Sequence, residues 1–217
     1  MGQKVNPTAF RLQIQDTWKS RWFASKKDYR KFMLEDIKLR KALMGRLKLA
    51  GINRVDIERS IKSLRLILYV TRPGIVIGRG GTGMEDIKKF VANILNISAG
   101  STKSPKVDIR VEEVKQPDLS AFLVAQKIAE QLERRMPYRR IVTKTLEKIM
   151  ISGAKGAKIE LSGRINGAEI SRNEKFHQGS IPLQTLRADI DFAKTPALTR
   201  SGYVGIKVWI HRATLKS

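Results

Sequence analysis

Arg72-Pro73-Gly74-Ile75-Val76-Ile77-Gly78-Arg79-Gly80-Gly81-Thr82-Gly83-Met84-Glu85 is the stretch on which the fold turns. Pro73-Gly74 breaks a preceding strand pattern, and a short apolar run, Ile75-Val76-Ile77, leads into the glycines. Thr82 and Glu85 then have the spacing of a capping box. Met84, Ile87, Phe90, Val91, Ile94 and Leu95 recur at helical period. Gly78-Arg79-Gly80-Gly81 therefore links two helical pieces. Glycines admit a sugar-phosphate backbone without Cβ clashes, the following helix start offers free N–H groups, and Arg79 adds a cation. Gly78, Gly80 and Gly83 also match a dinucleotide fingerprint, but that motif needs an acidic residue about 20 positions on. Lys103 stands there instead.

Upstream, residues 28–50 read as a helix on Tyr29, Phe32, Met33, Ile37, Met44 and Leu47, with Gly51 as a stop. Two strands follow, one carrying Val55 and Ile57, the other Leu64, Leu66, Leu68 and Val70. Downstream of the glycine helix comes a Ser/Thr/Lys-rich loop at 98–106, then a strand on Val107, Ile109 and Val111. The order is α-β-β-α-α-β, closing near Lys115.

Gln116-Pro117-Asp118 marks a boundary, with Asp118 expected to cap the next helix. That helix is amphipathic on Leu119, Phe122, Leu123, Ile128, Ala129 and Leu132. Pro137 interrupts it, and a second helix over 138–151 follows on Ile141, Val142, Leu146, Ile149 and Met150. Asn166-Gly167 reads as a two-residue hairpin turn with positive φ at both positions, which sets Arg164 opposite Glu169. Strands at 187–192 and 203–210 complete an antiparallel sheet. The expected class is α+β in three parts: a basic N-terminal arm with the start of the first helix over 1–38, a domain over 39–115, and a C-terminal two-layer α/β domain over 116–217.

The 217 residues include 43 Lys plus Arg against 20 Asp plus Glu, a formal net charge of +23, and no cysteine. With 41% hydrophobic residues the chain can bury a core. Disulfides, Cys-ligated zinc, iron–sulfur chemistry and a thiol nucleophile are excluded. No window approaches the roughly 20 apolar residues that span a bilayer, and the basic residues are spread too widely for a membrane-surface helix. A cytoplasmic protein with a polyanionic partner and no membrane role is expected. Residues 1–115 hold 25 basic and 11 acidic side chains, leaving 18 and 9 in residues 116–217, so the excess belongs to the folded body. Such a surface releases counterions when it neutralises phosphates.

The cations cluster twice. Lys4, Arg11, Lys19 and Arg21 mark the N-terminal arm, while Arg134, Arg135, Arg139, Arg140, Lys144 and Lys148 surround Pro137. Arg140, Lys144 and Lys148 at i, i+4 and i+8 make a stripe about 12 Å long that can follow a strand of phosphates. His177 and His211 are the only histidines and lack metal-ligand spacing. Asp189 and Asp191 share a strand face and are expected to pair with arginines such as Arg187. No metal, cofactor, small-molecule substrate or catalytic constellation is expected.

The G-x-x-G loop inside the α-β-β-α-α-β order resembles the RNA-clamping loop of a KH domain of the second type, with a three-stranded sheet. Met1-Gly2-Gln3-Lys4-Val5-Asn6-Pro7 and Phe10-Arg11-Leu12 resemble the start of the bacterial-type small-subunit ribosomal protein 3 family. The resemblance continues through Gln131-Leu132-Glu133-Arg134-Arg135, Gly153-Ala154-Lys155-Gly156, Leu161-Ser162-Gly163-Arg164 and Gly167-Ala168-Glu169-Ile170. Thr185-Leu186-Arg187-Ala188-Asp189-Ile190-Asp191 and Gly205-Ile206-Lys207-Val208-Trp209-Ile210 close it.

The resemblance implies a structural, non-enzymatic constituent of the small ribosomal subunit in the cytoplasm. It implies that the chain binds 16S-type rRNA in the subunit head beside small-subunit proteins ten and fourteen. It further implies that the C-terminal domain lines, with proteins four and five, the tunnel through which mRNA enters. There Arg139 and Arg140 fill the positions of an Arg-Arg pair associated with unwinding mRNA; the family lysine falls on Thr143, with Lys144 one position later. A free-standing KH-type RNA-binding regulator is the alternative, for which residues 39–115 would suffice.

Overall fold

A computed structural model describes residues 4–60, 63–95 and 106–213; most of the 98–106 loop lies outside them. The helices are α1 (Pro7–Phe10), α2 (Lys26–Arg46), α3 (Pro73–Ile77), α4 (Thr82–Ile94), α5 (Ala121–Glu133) and α6 (Tyr138–Ile151). The strands are β1 (Ser20–Arg21), β2 (Ile52–Arg59), β3 (Ser63–Val70), β4 (Lys106–Glu113), β5 (Ala154–Gly163), β6 (Arg172–Gly179), β7 (Ile190–Thr199) and β8 (Gly202–Arg212). Two units form: residues 18–115, and residues 1–17 together with 116–217. The basic arm expected over 1–38 is thus divided between them.

In the unit of residues 18–115 the order α2-β2-β3-α3-α4-β4 is the α-β-β-α-α-β of a KH domain. β2 and β3 pair antiparallel (Val55↔Leu68, Ile57↔Leu66), and β3 pairs parallel with β4 (Leu66↔Ile109). A two-residue β1, parallel to β2, adds a fourth strand to the three expected. Alternation carries Val55, Ile57, Leu64, Leu66, Leu68 and Val70 into a core shared with Leu39, Leu43, Ile87 and Val91.

The α2 stripe differs from expectation. Tyr29, Met33 and Ile37 are exposed, and the inward face runs through Asp36, Leu39 and Leu43. A polar residue takes the inward place because it is satisfied there. Asp36 accepts from Ser20 Oγ (2.9 Å), Trp22 Nε1 (2.8 Å) and Arg59 Nε (2.9 Å). The ring of Trp22 packs on Tyr29 and Phe32, with centroids 5.3 and 5.9 Å away.

The capping box does not form. Gly81, at φ 84, takes the cap position, and the Thr82 hydroxyl donates back to the Arg79 carbonyl at 3.0 Å. Left-handed glycines deliver the chain into α4 without a side-chain cap.

The other unit is a four-stranded, wholly antiparallel sheet, β6-β5-β8-β7, with α5 and α6 packed on one face. Ala157, Ile159, Leu161, Ile206, Val208 and Ile210 meet Val124, Ile128, Val142 and Ile149 there. α6 spans the expected residues. α5, however, is capped by Ser120, whose hydroxyl accepts from Leu123 N. Asp118 lies one turn earlier and accepts instead from Lys127 Nζ at 2.7 Å.

Positive φ does occur at Asn166 (58°) and Gly167 (83°), but the hairpin turn is not two residues long. β5 ends with Gly163 paired to Arg172, and Arg164 Nε donates to the Ala168 carbonyl at 2.9 Å, so Arg164 does not face Glu169. A strand expected over 187–192 instead runs 190–199 and turns directly into β8.

Candidate nucleic-acid interface

Two structural reasons divide the glycines of the loop. A Cβ at Gly78 would lie 2.9 Å from Gly83 N, and one at Gly83 would lie 2.5 Å from the Val76 carbonyl oxygen. These two glycines let α3 and α4 approach. Gly80 (φ 61) and Gly81 (φ 84) instead face open space and need glycine for their left-handed backbone. Arg79 is exposed at the tip, flanked by the half-exposed Ile75 and Ile77. Glu85 and Asp86, and then Lys88 and Lys89, follow exposed along α4. What the loop offers a sugar-phosphate chain is mainly an unobstructed backbone.

Helix α6 offers charge. Ile141, Val142, Leu146 and Ile149 anchor one face, and Arg139, Arg140, Lys144 and Lys148 stand exposed on the other, with Glu147 among them. Arg139 Nε donates to Tyr138 Oη at 3.1 Å, and that hydroxyl donates to Glu174 at 2.9 Å. The hydrogen bond that Arg139 donates to Tyr138, and then the fields of Tyr138 and Glu174, push the pKa of Arg139 up. Tyr138 is itself held edge-on to Phe176. Arg140, Lys144 and Lys148 have no ion-pair partner among the described residues. Thr143 and Lys144 are both exposed, so the Lys144 charge is displayed about 100° around the helix from Thr143.

The N-terminal cations separate. Lys4 and Lys19 are exposed, and Arg21 bridges Glu58 at 3.5 Å. Arg11 is a correction: it is 1% exposed and cannot meet RNA. Its Nε donates to the Ala188 carbonyl (2.8 Å) and Nη1 to Pro7 (3.1 Å). Nη2 reaches the carbonyls of Pro182 (3.2 Å), Leu183 (2.9 Å) and Thr185 (2.9 Å). An irregular segment before β7 leaves carbonyls without strand partners, and one guanidinium with five N–H groups satisfies them. Lys158, on the sheet face away from the helices, sits 5.1 Å over the Trp209 ring. Burial, and then repulsion from Lys4, pushes its pKa down.

Asp191 pairs with Arg212, not Arg187, and its carboxylate accepts the Ala121 N–H at 2.9 Å. It fastens the start of α5 to the sheet. His211 Nδ1 donates to the Ser180 carbonyl at 2.9 Å. Among the described residues no group of His, Cys, Asp and Glu is arranged to hold a metal. Tertiary structure also gathers Arg135, Arg164 and Arg200 around one cleft, a grouping with no signal in linear spacing.

The KH domain family matches residues 38–119, and the family described as ribosomal protein S3, C-terminal domain, matches residues 128–210. Small ribosomal subunit protein uS3 of Caldicellulosiruptor saccharolyticus is 45% identical over 212 residues, 98% of this chain and 92% of that protein. The protein of the same name from Vesicomyosocius okutanii is 45% identical over 215 residues, 99% of this chain and 90% of its own. That of Clostridium acetobutylicum is 42% identical over 215 residues, with 99% and 94% covered. With both domains matched in order and relatedness running through nearly the whole chain, this protein belongs to the small ribosomal subunit protein uS3 family.

Proposed function

We propose that this chain is a structural constituent of the cytoplasmic small ribosomal subunit, bound to 16S-type rRNA in the head, and that α6 grips mRNA as it enters. Arg139, Arg140 and Lys144 hold message phosphates, while the glycine loop and the exposed cations Lys4, Lys19 and Arg21 serve permanent contacts. The observation that carries the mRNA role is the exposed stripe on α6. Its cations sit on a helix whose opposite face is anchored in the core, so they stay in place as a strand moves past. Exposed Phe23, Tyr29, Met33 and Ile37 support protein neighbours on the outer side of α2, in keeping with proteins ten and fourteen. Proteins four and five are the neighbours expected at the tunnel. A free-standing KH regulator leaves the arginine helix without a role.

Ribosomes assembled with Arg139→Ala plus Arg140→Ala test the mRNA role. They are expected to translate a message with a stable hairpin several-fold more slowly than wild type and an unstructured message at the normal rate. Equal slowing on both templates, or none on either, overturns it.

A further inference from the structure

A cleft of about 270 Å³ opens among the ends of α5, α6, β5 and the β7–β8 turn. Leu161, Ile165 and Val204 give it an apolar floor, and Arg135, Arg164 and Arg200 line it. No acidic side chain does so among the described residues.

Each arginine is placed deliberately by the backbone. Arg135 ends α5 in a Schellman arrangement: its N–H donates to the Leu132 carbonyl (2.9 Å), and Met136 N–H donates to Gln131 (3.2 Å). That position needs a left-handed residue, here φ 61, and glycine is its usual occupant. Arg164 is steered by its bond to Ala168, and the left-handed Asn166 and Gly167 complete the adjoining turn. Arg200 occupies the two-residue turn between β7 and β8. Three arginines border an apolar floor that no described carboxylate lines, although Glu133 accepts from Leu198 N and Glu174 from Tyr138 Oη at its edges. A solvated surface would gain nothing from that grouping, or from an arginine where glycine fits better.

We propose that this cleft takes one unstacked nucleotide of single-stranded RNA, its phosphate held by Arg135, Arg164 and Arg200 and its base over the apolar floor. The proposal rests on the RNA-binding reading above and adds a site to it. Guanidinium forks match phosphate oxygens, and a base tolerates an apolar platform whatever its identity. The volume is just under the roughly 300–1,000 Å³ typical of small-molecule clefts, which suits one nucleotide and not a duplex whose bases stay stacked. Tyr138, whose hydroxyl receives Arg139, also lines the cleft. The site is therefore continuous with the α6 stripe, and a strand crossing that stripe can turn a base into it.

The test uses the full chain and a fluorescent 12-nucleotide oligouridylate at 0.15 M salt. Arg135→Gly plus Arg164→Gln plus Arg200→Gln is compared with Lys26→Gln plus Lys27→Gln plus Lys31→Gln, a triple of equal charge loss on exposed α2 residues. The arginine triple is expected to lose about tenfold or more in affinity, the lysine triple about twofold. Arg135→Gly alone should lose several-fold while its melting temperature stays level or rises, a combination that lost folding cannot produce. Equal losses in the two triples overturn the cleft but leave RNA binding intact. No binding by the wild-type chain would overturn the RNA-binding reading itself. A polyglutamate peptide that displaces the RNA from wild type and, when labelled, binds the arginine triple more weakly assigns the cleft to an acidic protein segment and overturns the nucleotide.

Discussion

On the proposed reading, the glycine loop and helix α6 would meet RNA in two different ways within one chain. The loop has a single cation, Arg79, followed by Glu85 and Asp86, and its distinction is a backbone left open at Gly80 and Gly81. The helix has four exposed cations with one carboxylate among them, on a rigid rod whose other face is core. On that reading the loop would recognise by shape and close approach, the helix by charge held at fixed spacing. Composition alone does not tell them apart; on the proposed reading they differ in whether backbone or side chain does the binding. A contact made by the backbone suits a partner that stays in register. A row of long cations on a helix suits one that moves through successive registers.

The comparison breaks first if every arginine counts as an RNA contact, and Arg11 is the sharpest case. Arg11→Met removes the donor to five main-chain carbonyls, and we expect a loss of at least about 1–3 kcal/mol, the cost of a buried acceptor left unsatisfied, in the C-terminal unit. Slowed exchange of the β7 and β8 amides should disappear in this variant. Unchanged protection would mean that the buried guanidinium is dispensable.

A smaller effect separates the loop's own glycines. Gly83→Ala pushes a methyl against the Val76 carbonyl and should cost about 1–3 kcal/mol in the KH unit. Gly80→Ala meets no atom and should cost only about 1 kcal/mol from its left-handed backbone, yet it intrudes on the open approach to the loop. Hydrogen exchange across β2 and β3 reads the first; RNA affinity reads the second. Equal stability losses would remove the distinction between packing and approach.

The smallest effect concerns charge. Lys144→Ala should lower the slope of log affinity against log salt by about 0.7–0.9, the release from one phosphate. Arg79→Ala should lower it by less, since the open backbone at Gly80 and Gly81, not the one cation, is what the loop is proposed to use. A larger change from Arg79 would reverse the assignment of shape to the loop and charge to the helix.

Much of this organisation is legible in the residues. The α-β-β-α-α-β order, the span of α6 and its buried Ile141, Val142, Leu146 and Ile149 follow from periodicity and from Pro137. The α2 stripe misleads because apolar spacing alone cannot anticipate a carboxylate drawn inward by Ser20, Trp22 and Arg59. The capping box at Thr82 and the two-residue turn at Asn166-Gly167 mislead for a related reason. Each motif is local, and a neighbouring constraint overrode it: left-handed glycines in one case, the ladder ending at Gly163 and Arg172 in the other.

By itself, the sequence determined the polyanionic partner, the two domain types and the family, because charge, hydrophobic period and contiguous motifs are properties of neighbours along the chain. Only the tertiary structure decided which cations are available. Arg11 is drawn inside by carbonyls more than 170 residues away, while Arg135, Arg164 and Arg200 are brought together around one cleft. The need of buried carbonyls for donors, and the convergence of the ends of α5 and β5 with the β7–β8 turn, are long-range facts that no local pattern records.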